Sequence, residues 1–256
     1  MKVIAIANRK GGVGKSTTAQ ALTSGLTFKG YTVLAVDLDA QRNLTSTMKA
    51  KVETKTALGV LTGDITAKEA IRRTETGDII PASKALSGAD AILTETGKEY
   101  RLKEALEPVE GEYDFCVVDC PPALGILTVN ALTAADSVVI PAQADIYSIE
   151  GIEDLQEIIQ PVRKYCNRSL KILGILLTRY NPRSILSRDV TTIAGQLAGK
   201  LGTSLFKATI REATAVKEAQ ISQKSLFTYA PKAKVTEDYK AFIEEFLERI
   251  SDSSGK

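Results

Sequence analysis

Asn8-Arg9-Lys10-Gly11-Gly12-Val13-Gly14-Lys15-Ser16-Thr17-Thr18 directly follows an apolar run, Val3-Ile4-Ala5-Ile6-Ala7. A phosphate-binding loop needs small residues whose backbone amides converge on oxygens, then a lysine, then a hydroxyl for a divalent cation. Gly11, Gly12 and Gly14 allow the close approach, Lys15 supplies the cation and Ser16 the hydroxyl. A helix opening at Lys15 would aim its N-terminal dipole at the same phosphates. The standard spacing places a glycine five residues before Gly14, where this chain has Arg9. Lys10 stands just ahead of the glycines instead, where its side chain can reach outward to a neighbour's nucleotide.

Working outward, β-branched runs alternate with helical patterns. Strands are expected at Thr32–Val36, Asp78–Pro81, Phe115–Val118, Ser137–Ile140 (stopped by Pro141) and Leu170–Leu177. Helices are expected at Ser16–Lys29, after Gln41, within Thr56–Arg73, and at Glu99–Leu106, Leu124–Ala135, Ile149–Tyr165 (with a kink at Pro161), Ser184–Leu201 and Val235–Ile250. Strands that are apolar throughout belong to a sheet buried on both faces. The expectation is an α/β fold: a mostly parallel, twisted sheet with helices on both sides, spanning residues 1–250 as a single domain, with a frayed tail at 251–256. Ligands of such sheets sit beyond the carboxyl ends of the strands. Asp37, Asp39 and Asp119 fall at such ends. Asp119 there can hold a Mg²⁺-bound water. Of the pair Asp37 and Asp39, one can serve the metal region and the other an attacking water.

Composition excludes several alternatives. The 256 residues are 44% hydrophobic and 25% charged, ordinary for a globular protein. No apolar run approaches a membrane span, and the first residues already form the loop's strand, so no signal peptide is expected. Without a histidine there is no imidazole base. Cys116, Cys120 and Cys166 form no Cys-x-x-Cys pair and read as reduced packing residues of a cytoplasmic protein. The net charge of +2 is uneven: residues 163–234 carry 14 Lys/Arg against three acids. A basic third suggests a polyanion partner.

The chain resembles the ParA/Soj branch of the deviant Walker-A P-loop ATPases, whose relatives include MinD and the nitrogenase iron protein. The resemblance rests on Lys10–Thr17, Val36-Asp-Leu-Asp-Ala-Gln41, Val118-Asp-Cys-Pro-Pro122, Leu124–Leu132, Ile149-Glu-Gly151, and Leu176–Tyr180 followed by Arg183. It implies ATP and Mg²⁺ as cofactors and an ATP-sandwich homodimer. Lys10 would touch the partner's phosphates, while Lys15 and the amides of Gly11, Gly12, Val13, Gly14, Ser16 and Thr17 cradle those of their own subunit. Ser16, Asp37 and Asp119 would serve the metal, and Asp39 the hydrolytic water. Glu150 would meet the partner's nucleotide, and Thr178, Asn181 and Arg183 the adenine. No Asn-Lys-x-Asp guanine motif is present, which fits ATP.

The implied activity is slow, partner-stimulated ATP hydrolysis. It would release the protein from non-specific DNA on the nucleoid when a ParB-like centromere-binding protein engages. Many chromosomal members read Ile-Pro-Arg-Asn-Val-Arg where this chain has Ile210-Arg-Glu-Ala-Thr-Ala215. Two arginines thus become Glu212 and Ala215, leaving Lys207, Arg211, Lys217, Lys224, Lys232 and Lys234 as the DNA candidates. The chain starts at the loop, so sequence-specific repression is not expected. A MinD-like membrane switch would need a basic amphipathic C-terminal helix. Here that helix carries Glu237, Asp238, Glu244, Glu245 and Glu248 against Lys240 and Arg249, which anionic lipid repels. Its Tyr239, Phe242, Ile243, Phe246 and Ile250 read as core. A metabolic or redox member of the superfamily is the remaining alternative. A bridging cluster would need paired cysteines at the dimer face.

Overall fold

The apolar runs pair into one sheet in the computed structural model, which describes residues 1–254. Its strands are β1 (Lys2–Ile6), β2 (Val33–Asp37), β3 (Asp78–Ile80), β4 (Phe115–Asp119), β5 (Ser137–Gln143), β6 (Lys171–Tyr180) and β7 (Ile210–Arg211). Their order is β3-β2-β4-β1-β5-β6-β7, and every pairing is parallel. Parallel neighbours require crossovers, which the longer helices supply. These are α1 (Lys15–Phe28), α2 (Asn43–Thr47), α3 (Ile126–Ala134), α4 (Ile146–Pro161), α5 (Ile185–Lys200), α6 (Thr214–Ile221) and α7 (Lys234–Ser254), with shorter helical turns between β2 and β4.

Alternate residues of each strand feed opposite faces. Val3 and Ala5 of β1 pack with α3, α4 and α5, whereas Ile4 and Ile6 pack with α1, α6 and α7. This two-sided burial is why the strands show no polar alternation. On α7, Tyr239, Phe242, Ile243, Phe246 and Ile250 recur at helical spacing and are buried against the sheet. The face that could have inserted into lipid is therefore spent on the core, and no helix among the described residues is long and apolar enough to cross a membrane.

β1 lies at the centre of the sheet. The chain passes from β1 to β2 on one side, and from β4 across β1 to β5 on the other. That reversal opens a crevice beyond the carboxyl end of β1, where ligands of doubly wound sheets bind.

Three local expectations change. Pro141 does not stop β5, which continues to Gln143. The Pro141 carbonyl accepts a hydrogen bond from the Asn8 side chain at 2.8 Å, so the edge that lacks an N–H faces the β1 side after β1 has ended. No ladder bond is lost. Pro161 ends α4 rather than kinking it, and Val162–Cys166 continue as a wider π turn. Finally, α7 runs past Ile250 through Ser251 to Ser254, where a frayed tail was expected. The Ser251 hydroxyl donates to the Leu247 carbonyl one turn back. Gly255 and Lys256 lie outside the described residues. The two-residue β7 and helix α6 carried too little periodicity to be anticipated.

Candidate functional site

The Gly11–Gly14 turn is shaped by its carbonyls. The Lys10 carbonyl accepts from Lys15 Nζ at 3.0 Å, the Gly12 carbonyl from Gln143 Nε2 at 2.9 Å, and the Val13 carbonyl from Thr178 Oγ1 at 2.7 Å. With these three tied down, no side chain among the described residues caps the helix that follows. Gly12 (φ 77°) and Gly14 (φ 93°) take left-handed backbone that side-chain-bearing residues disfavour. Gly14 also N-caps α1 without a side-chain partner, so the helix opens with unpaired amides. Those amides face a cleft of about 620 Å³, an anion site built from backbone.

Lys15 is 6% exposed. Burial lowers its pKa, opposed by the nearby charges of Asp119 and Asp39. Asp119, at the end of β4, is fully buried, and neither carboxylate oxygen has a hydrogen-bond partner. Burial drives its pKa well up, helped by Asp37, while Ser16 and Lys15 pull it down. A buried anion without a partner is costly. A divalent cation between Ser16 and Asp119 would supply what is missing, so the residues present fit Mg²⁺, which needs few protein ligands when phosphates supply the rest.

Asp37 is held in place by three hydrogen bonds. Its carboxylate accepts from the Thr45 amide at 2.8 Å, the Thr45 hydroxyl at 2.7 Å and the Asp39 amide at 3.0 Å. It is fully buried and holds α2 to the sheet, and like Asp119 it lies behind the residues that line the cleft. Asp39 does line it. An Asp-x-Asp pair therefore divides into one structural and one cleft-facing acid. Desolvation pushes the Asp37 carboxyl up to about 6 despite those hydrogen bonds.

A carboxyl raised on folding adds stability that is complete below its unfolded pKa and lost as pH rises through the folded one. The nucleotide-free protein should therefore melt at falling temperature as pH rises from about 5 to 7.5, by about 1.4 kcal/mol from Asp37. With no histidine in the chain, the other carboxyl raised by burial, Asp119, acts in the same direction. A flat melting profile would mean that the buried carboxyls are ionised throughout.

Lys10 lies at the loop's outer edge, with its ammonium 2.6 Å from both oxygens of Asp145 and 3.4 Å from the Ser148 hydroxyl. Asp145 also N-caps α4 by accepting from the Ser148 amide. Burial works against the Asp145 anion, but the Lys10 and Ser148 contacts prevail and hold its pKa below the ordinary value. Arg9 pairs with Asp154 on the same helix. Glu150 is exposed on α4 and outside the cleft.

Of the expected adenine residues, Thr178 braces the loop from beneath, but Asn181 and Arg183 sit on an exposed turn that does not line the cleft. Arg179 lines it instead, with left-handed backbone (φ 48°). Sequence reasoning also missed the far wall. Lys217 and Gln220 of α6 face the loop, and Gln220 Nε2 donates to Thr17 Oγ1 at 3.0 Å. Nothing in the sequence pattern marked α6 as a cleft wall.

The basic candidates scatter. Arg211 is held in a two-pronged pair with Asp238, at 2.6 and 2.7 Å. Glu245 accepts from the Lys207 amide. Lys217 faces the cleft, and Lys224, Lys232 and Lys234 are exposed. Cys116 and Cys120 are fully buried, and burial raises both thiols. They pack in the core and do not face a partner.

A family model described as an AAA domain matches residues 1–172. The "Sporulation initiation inhibitor protein Soj" of Bacillus subtilis (strain 168) is 40% identical over 244 residues, covering 93% of this chain and 95% of that protein. The "Chromosome partitioning protein ParA" of Caulobacter vibrioides is 37% identical over 263 residues, covering 100% of this chain and 97% of that protein. Among solved structures, a Mycobacterium smegmatis protein described as cobyrinic acid a,c-diamide synthase, with bound ADP and magnesium, superposes with a TM-score of 0.85. It is 34% identical and covers 100% of this chain and 97% of that one.

Proposed function

The chain belongs to the ParA/Soj family and is an ATPase, and from that premise we propose that it is a DNA-partition switch worked by ATP and Mg²⁺. The observation that carries this reading is a complete phosphate cleft with a second lysine, Lys10, at its outer edge.

In this reading residues 1–250 act as one ATPase domain. The Gly11–Thr17 amides and Lys15 bind the phosphates. Ser16 and Asp119 hold Mg²⁺, which neutralises charge on the phosphate oxygens. Asp39 accepts a hydrogen bond from the attacking water and orients it. Thr178 fixes the loop beneath the nucleotide, with Asn181 and Arg183 reaching toward the adenine only if their turn closes over it. Lys10 leaves Asp145 and crosses to the partner's phosphates in a homodimer, where Glu150 meets the partner's nucleotide. The dimer coats DNA without sequence preference, as a cytoplasmic, nucleoid-associated protein. A ParB-like partner stimulates hydrolysis and release.

Two readouts test this. DNA binding should need ATP, fail with ADP, and weaken steeply with salt while ignoring sequence. Asp39→Ala should slow hydrolysis about a hundredfold or more yet accumulate as ATP dimers on DNA, because orienting a water affects rate far more than ground-state binding. Equal DNA binding without nucleotide would overturn the switch. Loss of ATP binding in Asp39→Ala would make Asp39 a binding residue.

The name carried by the Mycobacterium smegmatis neighbour favours a second reading, an ATP-dependent amide-forming enzyme. That reading expects ATP turnover to depend on a carboxylic acid substrate and to ignore DNA.

A further inference from the structure

A trough opens beside α2. It consists of two adjoining cavities of about 220 and 320 Å³ that share Lys49 and Gln223. Arg42, Lys49 and Lys51 reach it from around α2, Arg73 from the segment before β3, and Lys224 from the segment after α6. Lys49, Lys51, Arg73 and Lys224 are exposed. None of the five is in an ion pair among the described residues. Arg42 Nε is buried without a hydrogen-bond partner. Glu75 is the one acid lining either cavity among the described residues. Four of these five cations lie outside the basic candidates read from the sequence; Arg42, Lys49 and Lys51 surround α2, and Arg73 and Lys224 join them only in the fold.

The trough is also tied to the nucleotide site. Ser46 and Thr47 of α2 line both the phosphate cleft and the trough. Asp37 anchors the same helix through Thr45. Left-handed backbone brackets it at Arg42 (φ 59°) and Lys49 (φ 54°). Gln223, a third left-handed residue (φ 49°), donates from Nε2 to the Ser46 hydroxyl at 3.3 Å. Non-glycine residues in this region are strained and concentrate at switch elements.

We infer that this trough is the docking surface for nucleic-acid backbone phosphates, and that α2 makes its shape depend on the nucleotide. The inference deepens the DNA-binding reading above and rests on it. Four features favour a phosphate chain: five cations in a concave track, hydroxyls of Ser46, Thr47 and Thr228 beside them, no aromatic platform for bases, and no large apolar surface for lipid.

The test is fluorescence anisotropy of a short mixed-sequence DNA duplex with ATP, across a salt series, for the parent and Lys49→Glu/Lys51→Glu. The expected result is about tenfold weaker binding and a logarithmic salt slope shallower by about two, one per lost phosphate contact. Unchanged affinity and slope in the double variant overturn the inference while leaving the DNA reading intact. A parent that does not bind the duplex overturns the DNA reading itself. Anionic phosphatidylglycerol vesicles provide a third arm: parental vesicle binding that the double variant loses, with DNA binding retained, overturns the inference in favour of a lipid surface. If charge reversal lowers the melting temperature, Lys49→Gln/Lys51→Gln replaces it, and the same shallower slope is required.

Discussion

Asp119→Asn is expected to move stability and activity in opposite directions. The side chain is nearly isosteric, but it removes a fully buried carboxylate whose desolvation is offset only by the nearby Ser16 hydroxyl and Lys15 charge. Relieving that cost should stabilise the nucleotide-free protein by about 1–3 kcal/mol, a rise of several degrees in melting temperature for a chain of this size. Because burial raises the Asp119 pKa, the native carboxyl is least costly when protonated. The gain should therefore grow as pH rises, and be smaller at pH 5.5 than at pH 8. Mg²⁺-dependent ATP hydrolysis should fall about a hundredfold or more, since the metal loses its anionic protein ligand. Calorimetric melting and a phosphate-release assay read the two effects. A lower melting temperature would show that the carboxylate is satisfied in the resting protein, and undiminished hydrolysis would remove Asp119 from the metal site.

Lys15→Ala should abolish nucleotide binding at ordinary concentrations. A lysine on the terminal phosphates supplies a charge-assisted hydrogen bond in a poorly solvated site, worth about 3 kcal/mol, or roughly a hundredfold in affinity. The loss here has a second component. Lys15 also donates to the Lys10 carbonyl from beneath the loop, so its removal frees a carbonyl that can turn toward the anion. Titration calorimetry with ATP checks this. Affinity near that of the parent would mean that the loop amides alone hold the phosphates.

Much of the site was legible because it is local. The turn at Gly11–Gly14, the lysine after it and the apolar strand before it are contiguous, and each needs the others to make sense. Asp37 and Asp119 were legible as strand ends because an apolar run that ends in an acid marks a strand's carboxyl end. Asp37 was not separable from Asp39, since nothing in the sequence tells which of two acids turns inward to Thr45. Pro141 misled because proline usually ends strands, and only the sheet order shows that its bare edge faces a vacancy in the ladder. The cleft's far wall on α6 and the trough beside α2 were invisible for one reason. They are assembled from segments roughly 170–200 residues apart, and a chain read in order does not report which distant residues meet.

The contact between Lys10 and Asp145 has a consequence for how two chains can associate. In the dimer proposed above the Lys10 ammonium leaves its own Asp145 for an anion in the other molecule, so the two contacts are alternative states of a single side chain. Association through Lys10 exchanges one ion pair for another and creates none. Dissolved salt screens the pair that is lost as well as the pair that is made. Through this residue, ionic strength has little leverage on whether two chains come together, however strongly it governs their grip on a polyanion.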